Sequence, residues 1–508
     1  MLFNSLQFIF LFFPVVVLGF YLIGRFSREG AVLWLCAGSL YFFCQWNIHY
    51  LWLLLLSITV NYGFGYAIAH LSKGKSRTVL LTALGFNLLL LGYYKYAGFF
   101  AESMHQAFGT NWSFAEIILP LGISFFTFTQ IAFLVDSYRG KAKEYNFFHY
   151  ILFVTYFPHL IAGPILHHAQ MMPQFRNRNT YQINWENNAR GLMMFIIGFA
   201  KKMLLADYFS TFAKPVFEVA NTGYTPLMGE SWMAVFAYSL QLYFDFSGYC
   251  DMAIGISLFF NIKLPFNFNS PYKALNIIDF WRRWHMTLSA FLRDYLYIPL
   301  GGNRHGNARR YVNVLVTMLI GGLWHGAGWT FVIWGGLHGV YLAINHAFRD
   351  MRYGWINKKD NREKTTSLPN LHDPVAWIQQ LLSSGITFLA VSIAWVFFRS
   401  PDLNTAFRML EGMIGKNPLT WHSCAHLEIY WPIYIGLLIV WLLPNSQQLI
   451  GLTESPAESV DAVNQRFAIS FQWNPSSWWN WLVPGIILAV CIIELTNGKP
   501  SEFLYFQF

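Results

Sequence analysis

The sequence predicts an all-α, polytopic membrane protein with about eleven transmembrane helices. Two observations support this fold class. Of the 508 residues, 55% are hydrophobic and 12% are charged, whereas soluble globular proteins carry about 25% charged residues. In addition, 19% of the residues are aromatic, and tryptophan and tyrosine collect at the headgroup level of membranes. The composition therefore suits a lipid environment better than water.

The predicted spans follow one another as apolar runs of about 20 residues, the length that crosses a bilayer as a helix. The run at residues 6–23 lacks the basic start and the small-residue cleavage site of a signal peptide. It should therefore remain in the protein as the first span. The later runs lie at residues 31–46, 50–70, 79–100, 116–135, 189–212, 231–261, 311–346, 375–398, 429–450 and 481–497.

The loops between the early runs alternate in charge and so predict an orientation. The basic loops contain Arg25 and Arg28; Lys73, Lys75 and Arg77; and Arg139, Lys141 and Lys143. Between them lie an uncharged turn at 45–49 and an acid-bearing loop at 102–116. Because basic loops stay in the cytoplasm, the N-terminus should lie outside. The net charge of +9 collects in such loops rather than on one face, which argues against a nucleic-acid partner.

Three segments do not fit simple spans. Residues 148–166 and 263–310 are interrupted by prolines and glycines, and residues 148–166 are predicted to be a re-entrant or broken helix. Such backbone is tolerated at membrane depth only when it packs in protein or lines a cavity. The polar stretch at 349–364 is predicted to be a cytoplasmic linker. No soluble domain or internal repeat is evident, so residues 1–508 are expected to form one membrane domain.

The cysteines argue against a disulfide framework and a metal site. The five cysteines are scattered and form no C-x-x-C pair, the spacing expected of such sites. His422 and His426 have the spacing of a helical metal pair, but no third ligand is nearby, so we expect no metal. An Asp-His-His-Cys motif is also absent, which argues against cysteine-based palmitoyltransferases.

A group of polar residues interrupts the apolar run at 231–261. It contains Tyr243, Asp245, Ser247 and Asp251. Ser247 and Asp251 are four residues apart and share one face of a helix. Two interpretations remain open here. The group forms the polar wall of a reaction chamber, or it holds helices together by hydrogen bonds.

The segment 279–285, Asp-Phe-Trp-Arg-Arg-Trp-His, is predicted to be a helix. In that helix Asp279 pairs with Arg283, and Trp281 shares a face with His285. Arginines suit bidentate contacts with phosphate groups, such as those of an acyl-coenzyme A donor. Arg282 and Arg283 could instead extend to lipid headgroups, and this alternative stays open.

A second histidine, His325, lies between glycines in the segment 321–329. Glycines allow close approach of a helix or a ligand. Ionisable side chains are costly at bilayer depth and usually mark a function, so His285 and His325 together predict a catalytic site. His338 is predicted to lie on the same continuous helix as His325 but to point away from it at about 100° per residue. We therefore interpret His338 as structural.

These motifs resemble the membrane-bound O-acyltransferase (MBOAT) family, in particular its bacterial branch for alginate and other exopolysaccharide O-acetylation. The likeness covers nearly the whole chain. It is strongest at 243–249 (YFDFSGY), 265–268 (PFNF), 280–285 (FWRRWH), 297–304 (YIPLGGNR), 321–326 (GGLWHG) and 334–339 (WGGLHG). The resemblance implies the MBOAT fold, a multi-helix bundle around a central tunnel. It also implies that acyl-CoA enters from the cytosol and the acceptor from the other side.

The resemblance further implies roles for individual residues. His325 takes the catalytic position of the WHG motif, and His285 takes that of the upstream polar partner. His325 would remove the proton of the acceptor hydroxyl, while His285 would orient the acyl group or stabilise the oxyanion. Trp281, Arg282, Arg283 and Trp284 would contact the donor, and Tyr243, Asp245, Ser247, Asp251 and Trp324 would line the tunnel.

The substrates and partners are likewise expectations from the resemblance. Acetyl-CoA would be the donor, with no permanently bound cofactor. The acceptor would be a periplasmic partner protein that works with exopolysaccharide machinery to acetylate a polymer such as alginate, at the inner membrane and among its lipids. The alternatives are an acyltransferase for teichoic acid, lipid or protein, and a transporter or flippase. Transporters often show paired broken helices in two related halves, and this sequence shows no such pairing.

The chain ends in an aromatic segment at 501–508. The segment is too short to span a bilayer. It could pack into a groove of its own bundle or bind a partner by strand addition. We favour self-packing, because a C-terminus inside the cell would not reach a periplasmic partner.

Overall fold

The computed structural model describes residues 1–110, 112, 117–142, 146–161, 163–359, 374–417, 430–452, 473–498 and 503–504, with backbone alone at 352–359 and 374–376. This part of the chain contains helices and no β-strand, which confirms the all-α prediction. It falls into two compact units. The first unit comprises Met1–Leu204, Phe244–Phe266 and Gln472–Phe508, and the second comprises Leu205–Tyr243 and Asn267–Phe471.

The first unit is built mainly from helices of the N-terminal half. They are α1 Phe13–Gly24, α2 Arg28–Cys44, α3 Leu51–His70, α4 Lys73–Leu91, α5 Ala97–Phe108, α6 Ile123–Tyr138, α7 Phe147–Thr155, α8 His168–Arg176 and α9 Trp185–Ala200. π-helical turns lie at Phe8–Phe12, Gly92–Tyr96 and Lys201–Ala206. The C-terminal helix Leu482–Asn497 packs against α9.

The second unit contains the following helices. They are α10 Asp207–Asn221, α11 Met228–Leu258, α12 Ile277–Arg283, α13 Met286–Leu292, α14 Gly306–His325, α15 Trp329–Lys359, α16 Pro374–Arg399, α17 Leu403–Met413, α18 Trp431–Leu442 and α19 Ser446–Ile450. The part of α11 from Phe244 onward belongs to the first unit. The helix Leu482–Asn497 of the first unit completes the set as α20.

Buried polar groups inside the first unit are matched across helices. The amide of Asn87 on α4 donates to Asn61 Oδ1 on α3 at 2.6 Å, and Asn61 donates back to Asn87 Oδ1 at 3.2 Å. Gln130 on α6 donates to Ser57 Oγ on α3 at 3.1 Å. A buried polar group costs free energy unless it has a hydrogen-bond partner, so these bonds fix how the three helices pack.

In the second unit, α14 and α15 pack directly against each other through glycines. A side-chain carbon at Gly322 would overlap the backbone carbonyl of Phe331, and one at Gly335 would overlap that of Met318. The chain turns between the two helices at 326–328, where a side-chain carbon at Gly326 would overlap the Phe331 ring. Only glycine allows backbones to approach this closely. The glycine pattern therefore positions the end of one helix against the start of the next.

Four helical stretches in the described part of the chain are long and apolar enough to cross a membrane. They are Ile48–His70, Lys73–Phe108, Trp377–Arg399 and Trp478–Asn497. Phe8–Gly24 and Trp431–Leu442 are shorter apolar helices. The predicted breaks are present. α7 ends at Thr155, and the described residues between it and His168 form no regular helix. The stretch 263–310 contains short helical pieces until α14 begins at Gly306.

Three predicted elements were wrong. The run at 311–346 is two helices, because the glycines at 326–328 break it. The helix predicted to continue to His285 ends at Arg283. Its free backbone groups there bond an extended segment, with Asn269 N donating to Arg283 O at 2.9 Å. The polar stretch from 349 is helical up to Lys359 rather than a linker, and its remainder lies outside the described residues.

Candidate active site

His285 lies at a backbone break between α12 and α13. Its φ of 45° and ψ of 52° are in the left-handed region, which is strained for a side chain of this size. The ring is fully buried. The strain is compatible with a functional role, because such conformations persist where the surrounding structure fixes them. The predicted shared helix face of Trp281 and His285 is therefore wrong.

Asn267 fixes the orientation of the His285 ring. Asn267 Oδ1 accepts from the backbone N of Thr287 at 3.1 Å and from Thr287 Oγ1 at 2.8 Å, which identifies this atom as the amide oxygen. His285 Nδ1 lies 3.2 Å from the same oxygen. Because an amide oxygen only accepts, Nδ1 must carry a proton. In the neutral ring the lone pair is then on Nε2.

His325 is the last residue of α14. Its ring is 6% exposed and lies among aromatic rings, with centroids 4.9 Å from Trp324, 5.1 Å from Trp334 and 5.2 Å from Phe398. The C-terminal end of a helix carries partial negative charge, which stabilises a protonated imidazole. The position of His325 therefore favours a side chain that accepts a proton.

The two predicted catalytic histidines lie side by side. The ring centroids of His285 and His325 are 6.2 Å apart, and the Trp324 ring is 6.1 Å from His285. They come from different parts of the chain, one from the break after α12 and the other from the end of α14. At this separation both rings can contact one small bound group.

His338 belongs to the same aromatic cluster as His325, contrary to the prediction that the two point apart. That prediction assumed one continuous helix, whereas the helix breaks at 326–328. Trp334 contacts both rings, at 5.1 Å from His325 and 4.9 Å from His338. Trp281 Nε1 donates to His338 Nδ1 at 3.2 Å. Because an indole nitrogen only donates, neutral His338 carries its proton on Nε2.

The two predicted donor arginines differ in their surroundings. Arg283 is buried, its Nε donates to Asp279 Oδ1 at 2.8 Å, and its Nη1 donates to the carbonyl of Asn269 at 3.3 Å. This confirms the predicted Asp279–Arg283 pair. Arg282 is exposed at the end of the same helix. Arg283 therefore ties α12 to the extended segment after Asn267, and Arg282 is the arginine of the two that solvent or a ligand can reach.

The family model of the membrane-bound O-acyltransferases matches residues 66–358, more than half of the chain and the part that holds both histidines. The chain belongs to the membrane-bound O-acyltransferase family. It is an O-acyltransferase, and with the apolar helices described above it is a membrane protein. The predicted membership of this family is confirmed. The family match favours an acyltransferase over the alternative of a transporter or flippase.

Curated relatives of this chain are named for acyl transfer involving peptidoglycan, alginate or teichoic acid. The peptidoglycan O-acetyltransferase of Helicobacter pylori is 44% identical over 100% of this chain and 98% of its own length. The probable alginate O-acetylase of Pseudomonas putida is 35% identical over the full length of both chains. The teichoic acid D-alanyltransferase of Streptococcus thermophilus is 28% identical over 55% of this chain and 68% of its own.

The predicted tunnel residues of the acyltransferase fall in both units. In the second unit, Tyr243 is buried with its ring 6.0 Å from Phe268 and 5.5 Å from Tyr272. Trp284 is buried 5.0 Å from Phe268 and stacks on Phe280 at 5.7 Å. These rings form one aromatic wall. Their predicted contact with a substrate stays a prediction.

In the first unit, the predicted carboxylates form ion pairs between helices. Lys202 Nζ lies 2.8 Å from Asp245, and both side chains are nearly inaccessible, at 2% and 3%. Lys201 Nζ lies 2.6 Å from Asp251. Both lysines come from the π-helical turn after α9. Ser247 is buried on the same stretch of α11. These pairs correspond to the interpretation that the polar group holds helices together.

Sequence reasoning gave no role to several residues of the histidine cluster. Asn267 stood within a quoted family motif, but its bond to His285 depends on a backbone break that the sequence pattern did not indicate. Trp334 lies in the glycine-rich segment 334–339, and that glycine pattern was a usable signal. Trp395 and Phe398 on α16 contact Trp334 at 5.6 and 5.1 Å. They sit in an ordinary apolar run, so no local signal could have found them.

Proposed function

We propose that this acyltransferase moves an acetyl group from cytosolic acetyl-CoA to a hydroxyl acceptor on the far side of the inner membrane. The observation that carries the proposal is the buried pair of His285 and His325, 6.2 Å apart between ring centroids. The proposal includes about eleven crossings, an outside N-terminus and a central tunnel within one domain of residues 1–508. Each of these features is open to test by topology mapping.

His325 acts as the general base. The acceptor hydroxyl loses its proton to His325 while its oxygen attacks the thioester carbonyl, and the C–S bond to coenzyme A breaks as the C–O ester bond forms. The proton then passes from His325 to the leaving thiolate, so the products are an ester and free coenzyme A. The helix end stabilises the imidazolium that forms between these steps. General-base catalysis contributes about 10²–10⁴ in rate.

His285 takes an orienting role rather than the predicted alternative of stabilising the oxyanion. Its Nδ1 proton is held by Asn267, and full burial disfavours the charged ring. A neutral His285 in this tautomer accepts a hydrogen bond at Nε2 and cannot donate one to an oxyanion. It therefore accepts a hydrogen bond from a donor of the bound reactants other than the hydroxyl whose proton His325 removes. Asn267 acts as a positioning residue, because it sets the tautomer and the ring direction.

Donor binding uses exposed rather than buried charge. Arg282 is exposed at the end of α12, beside the buried rings of Trp281 and Trp284. A guanidinium suits phosphate, so Arg282 contacts the phosphates of coenzyme A. Arg283 contributes through its bond to Asp279 and keeps α12 in place. Acetyl-CoA is a substrate in this scheme, and no resident cofactor is invoked.

The final acceptor is a polysaccharide, reached through a periplasmic partner protein that receives the acetyl group. The names of the full-length relatives support this substrate class. An exopolysaccharide such as alginate is the first candidate. Peptidoglycan is the second, because the relative with that activity is 44% identical along the whole chain.

The test uses the full chain reconstituted in vesicles with radiolabelled acetyl-CoA outside and candidate acceptors inside. A partner protein from the same organism is supplied with alginate oligomers, with peptidoglycan fragments, or with neither. We expect alkali-labile label on one glycan, with the partner required, and none when His325→Ala replaces the wild type. Release of free acetate only, or labelling that survives His325→Ala, would overturn the proposal.

A further inference from the structure

A partly open apolar cavity lies in the second unit, away from the histidine pair. It encloses about 450 Å³ and is formed by α16, α18 and the segment after the 3₁₀ turn Pro271–Lys273. Its walls are mostly apolar, with Trp377, Leu381, Leu438 and Trp441 among the lining residues. Small-molecule sites in proteins enclose about 300–1,000 Å³. The cavity is therefore large enough for part of a lipid.

Hydrogen bonds to Tyr272 and from Lys273 connect the elements that form this cavity. The carbonyl of Tyr272 accepts from Trp441 Nε1 at 3.1 Å and from Ser384 Oγ at 3.3 Å. Lys273 Nζ donates to the carbonyl of Leu443 at 2.7 Å. These bonds connect α16 and the end of α18 to the consecutive residues Tyr272 and Lys273. The cavity is thus a preformed feature of the unit, as ligand sites usually are.

One end of the cavity is cationic. Of the ten residues that line it, Lys273 is the charged one. Burial and the neighbouring Arg283 lower the pKa of Lys273 to about 8, so its ammonium is still largely protonated at neutral pH. The guanidinium of Arg283 is already bound to Asp279. A bound anion at Lys273 would relieve the repulsion between these two cations.

The cavity also has the residues of a membrane interface. Trp377 begins the apolar stretch Trp377–Arg399, and Trp441 is the last residue but one of the apolar helix Trp431–Leu442. Tryptophan at helix ends collects at the headgroup level of a bilayer. A lysine at that level faces phosphate groups, while the apolar walls continue toward the hydrocarbon. This arrangement matches an amphiphile with an anionic head and a long acyl chain.

We propose that this cavity binds one anionic phospholipid, with an acyl chain against α16 and α18 and the headgroup phosphate at Lys273. The proposal does not rest on the acyl-transfer chemistry, because the residues that line the cavity include neither histidine and neither arginine of the candidate site. The lipid would fill the space between α16 and α18, whose ends are already connected through Tyr272 and Lys273.

Gly385 offers a substitution that blocks the cavity without overpacking. It lines the cavity, and a side-chain carbon added there meets no atom within 4 Å. Gly385→Trp and the smaller Gly385→Leu should therefore fill the space while the helix keeps its place. Gly485→Trp is the matched control. It lies on α20 in the first unit, where an added carbon also meets nothing within 4 Å.

The experiment measures lipid retention by the purified full chain with native mass spectrometry. Detergent-stripped protein is offered phosphatidylglycerol or phosphatidylcholine with identical acyl chains. We expect one retained phosphatidylglycerol and about a fivefold preference over phosphatidylcholine, the attraction that one lysine gives at an anionic surface. Both Gly385 variants should lose the retained lipid, and Gly485→Trp should keep it. Thermal unfolding of each variant establishes that it is folded.

The headgroup contact is tested separately at Lys273. Lys273→Gln should reduce the preference for phosphatidylglycerol to nearly one, and Lys273→Arg should preserve it. Retention of lipid by folded Gly385→Leu at the wild-type level would overturn the site. Equal retention of both lipids by the wild type, or an unchanged preference in Lys273→Gln, would overturn the anionic headgroup. Association of a second copy of the chain at the cavity in place of lipid would also overturn the proposal.

Discussion

Two polar clusters inside apolar helices were predicted to be functional, and they differ in how their charges are used. In the first unit, Asp245 and Asp251 each lie against a lysine from the turn after α9, at 2.8 and 2.6 Å. In the second unit, His285 and His325 lie 6.2 Å apart among aromatic rings. The first cluster holds fixed charges of opposite sign. The second holds imidazole rings, which can exchange a proton.

This difference separates a structural polar cluster from a reactive one. A carboxylate paired with an ammonium in a dry interior is already stabilised, and moving a proton within that pair would cost the attraction between them. A histidine whose tautomer is fixed by an amide keeps one nitrogen for chemistry near neutral pH. Polar residues in a membrane sequence can therefore be assigned to a tunnel only when it is known which groups they pair with in the folded protein.

The largest expected effect is on turnover in His325→Ala. Removal of the general base should lower the rate of acetyl transfer about 10²–10⁴-fold. The thermal unfolding midpoint should change little, because Trp334 and Phe398 beside His325 also pack on each other. His305→Ala is the control, since His305 is exposed on the same unit. If His325→Ala turned over acetyl-CoA at the wild-type rate in the reconstituted assay, the histidine cluster would not be the reactive one.

The converse experiment concerns Lys202. Its replacement should lower the stability of the protein rather than its catalytic rate. Lys202→Met leaves the buried Asp245 without its ammonium and should destabilise the protein by about 3–5 kcal/mol, measured by denaturant or thermal unfolding in detergent. The double variant Lys202→Met/Asp245→Leu should recover most of that stability and the activity, because neither charge is then buried alone. Lys201→Met is the milder control, since its pair with Asp251 is partly exposed.

If the double variant is stable but inactive, Asp245 belongs to the reaction chamber and the comparison fails. If both single and double variants keep full stability, the ion pair contributes nothing and the structural interpretation is wrong. A stable, active double variant supports it. No substitution pair at His285 and His325 should behave in the same way, because their contribution is to chemistry rather than to packing.

The all-α fold class could be predicted from the sequence because apolar composition and run length depend on each residue separately. The number of continuous helices could not. Residues 311–346 form one apolar run, and only the contact of Gly322 with Gly335 across the turn shows why the run must fold back. The break at His285 was also hidden, because its freed backbone groups are bonded by residues 267–269, which are distant in sequence.

In the candidate site, too, some features could be predicted from the sequence and others could not. His285 and His325 could be singled out because an ionisable residue in an apolar stretch is conspicuous. Asn267 and His338 depend on which surfaces meet after folding. Arg283 was predicted both to pair with Asp279, which is confirmed, and to bind donor phosphates, which its burial disfavours. Spacing along a helix predicted the local pair, but no pattern in the sequence predicts exposure at a broken helix.

The C-terminal segment extends the ion-pair cluster and gives the next prediction. Phe503 is 1% exposed and packs on Tyr249 at 5.0 Å, and Lys202 lies over its ring at 4.9 Å. The backbone N of Leu504 donates to Asp245 Oδ2 at 3.0 Å. Self-packing is thus confirmed for these two residues. The rest of the segment 501–508 lies outside the described residues.

Deletion of residues 503–508 should lower the stability of the detergent-purified protein by about 3 kcal/mol. Burial of a phenylalanine side chain contributes about 1.5–3 kcal/mol, and a hydrogen bond to a charged group about 1.5–3 kcal/mol, with some overlap between them. Deletion of 505–508 alone is the control, because it keeps both contacts. An unchanged melting temperature together with loss of a bound partner would point to docking instead.

Arg282 and Arg283 at the end of α12 allow an exposed charge to be compared with a buried one. Arg282→Gln should raise the KM for acetyl-CoA about tenfold, the loss of about 1.4 kcal/mol of binding, with little change in kcat. Arg283→Gln should instead lower the unfolding midpoint, because Asp279 then loses its buried partner. Equal KM effects in two stable variants would show that burial does not distinguish these residues.

The smallest expected effect is a shift in pH dependence in the variant Asn267→Asp. The new carboxylate keeps an acceptor for the Nδ1 proton of His285 but adds a negative charge where the amide oxygen lies 3.2 Å from that nitrogen. An opposite charge at this distance favours the protonated ring and raises its pKa, by about one unit at the low end of the usual range, because Thr287 donates to the same oxygen. Burial already lowers the pKa of His285 far below that of an exposed imidazole. Since the neutral ring is the active form, the acidic limb of kcat/KM that belongs to His285, which lies below the limb set by the general base His325, should move to higher pH by about one unit.

Above that limb, the rate of Asn267→Asp should stay near that of the wild type. Asn269→Asp is the matched control. It places the same charge two residues away, where the side-chain oxygen accepts from Asn445 at 2.9 Å, and it should leave the limb unmoved. A limb that moves to lower pH would mean that protonated His285 is the active form. In that case His285 would donate to the oxyanion, and the second cluster would carry charge during catalysis as the first one does at rest.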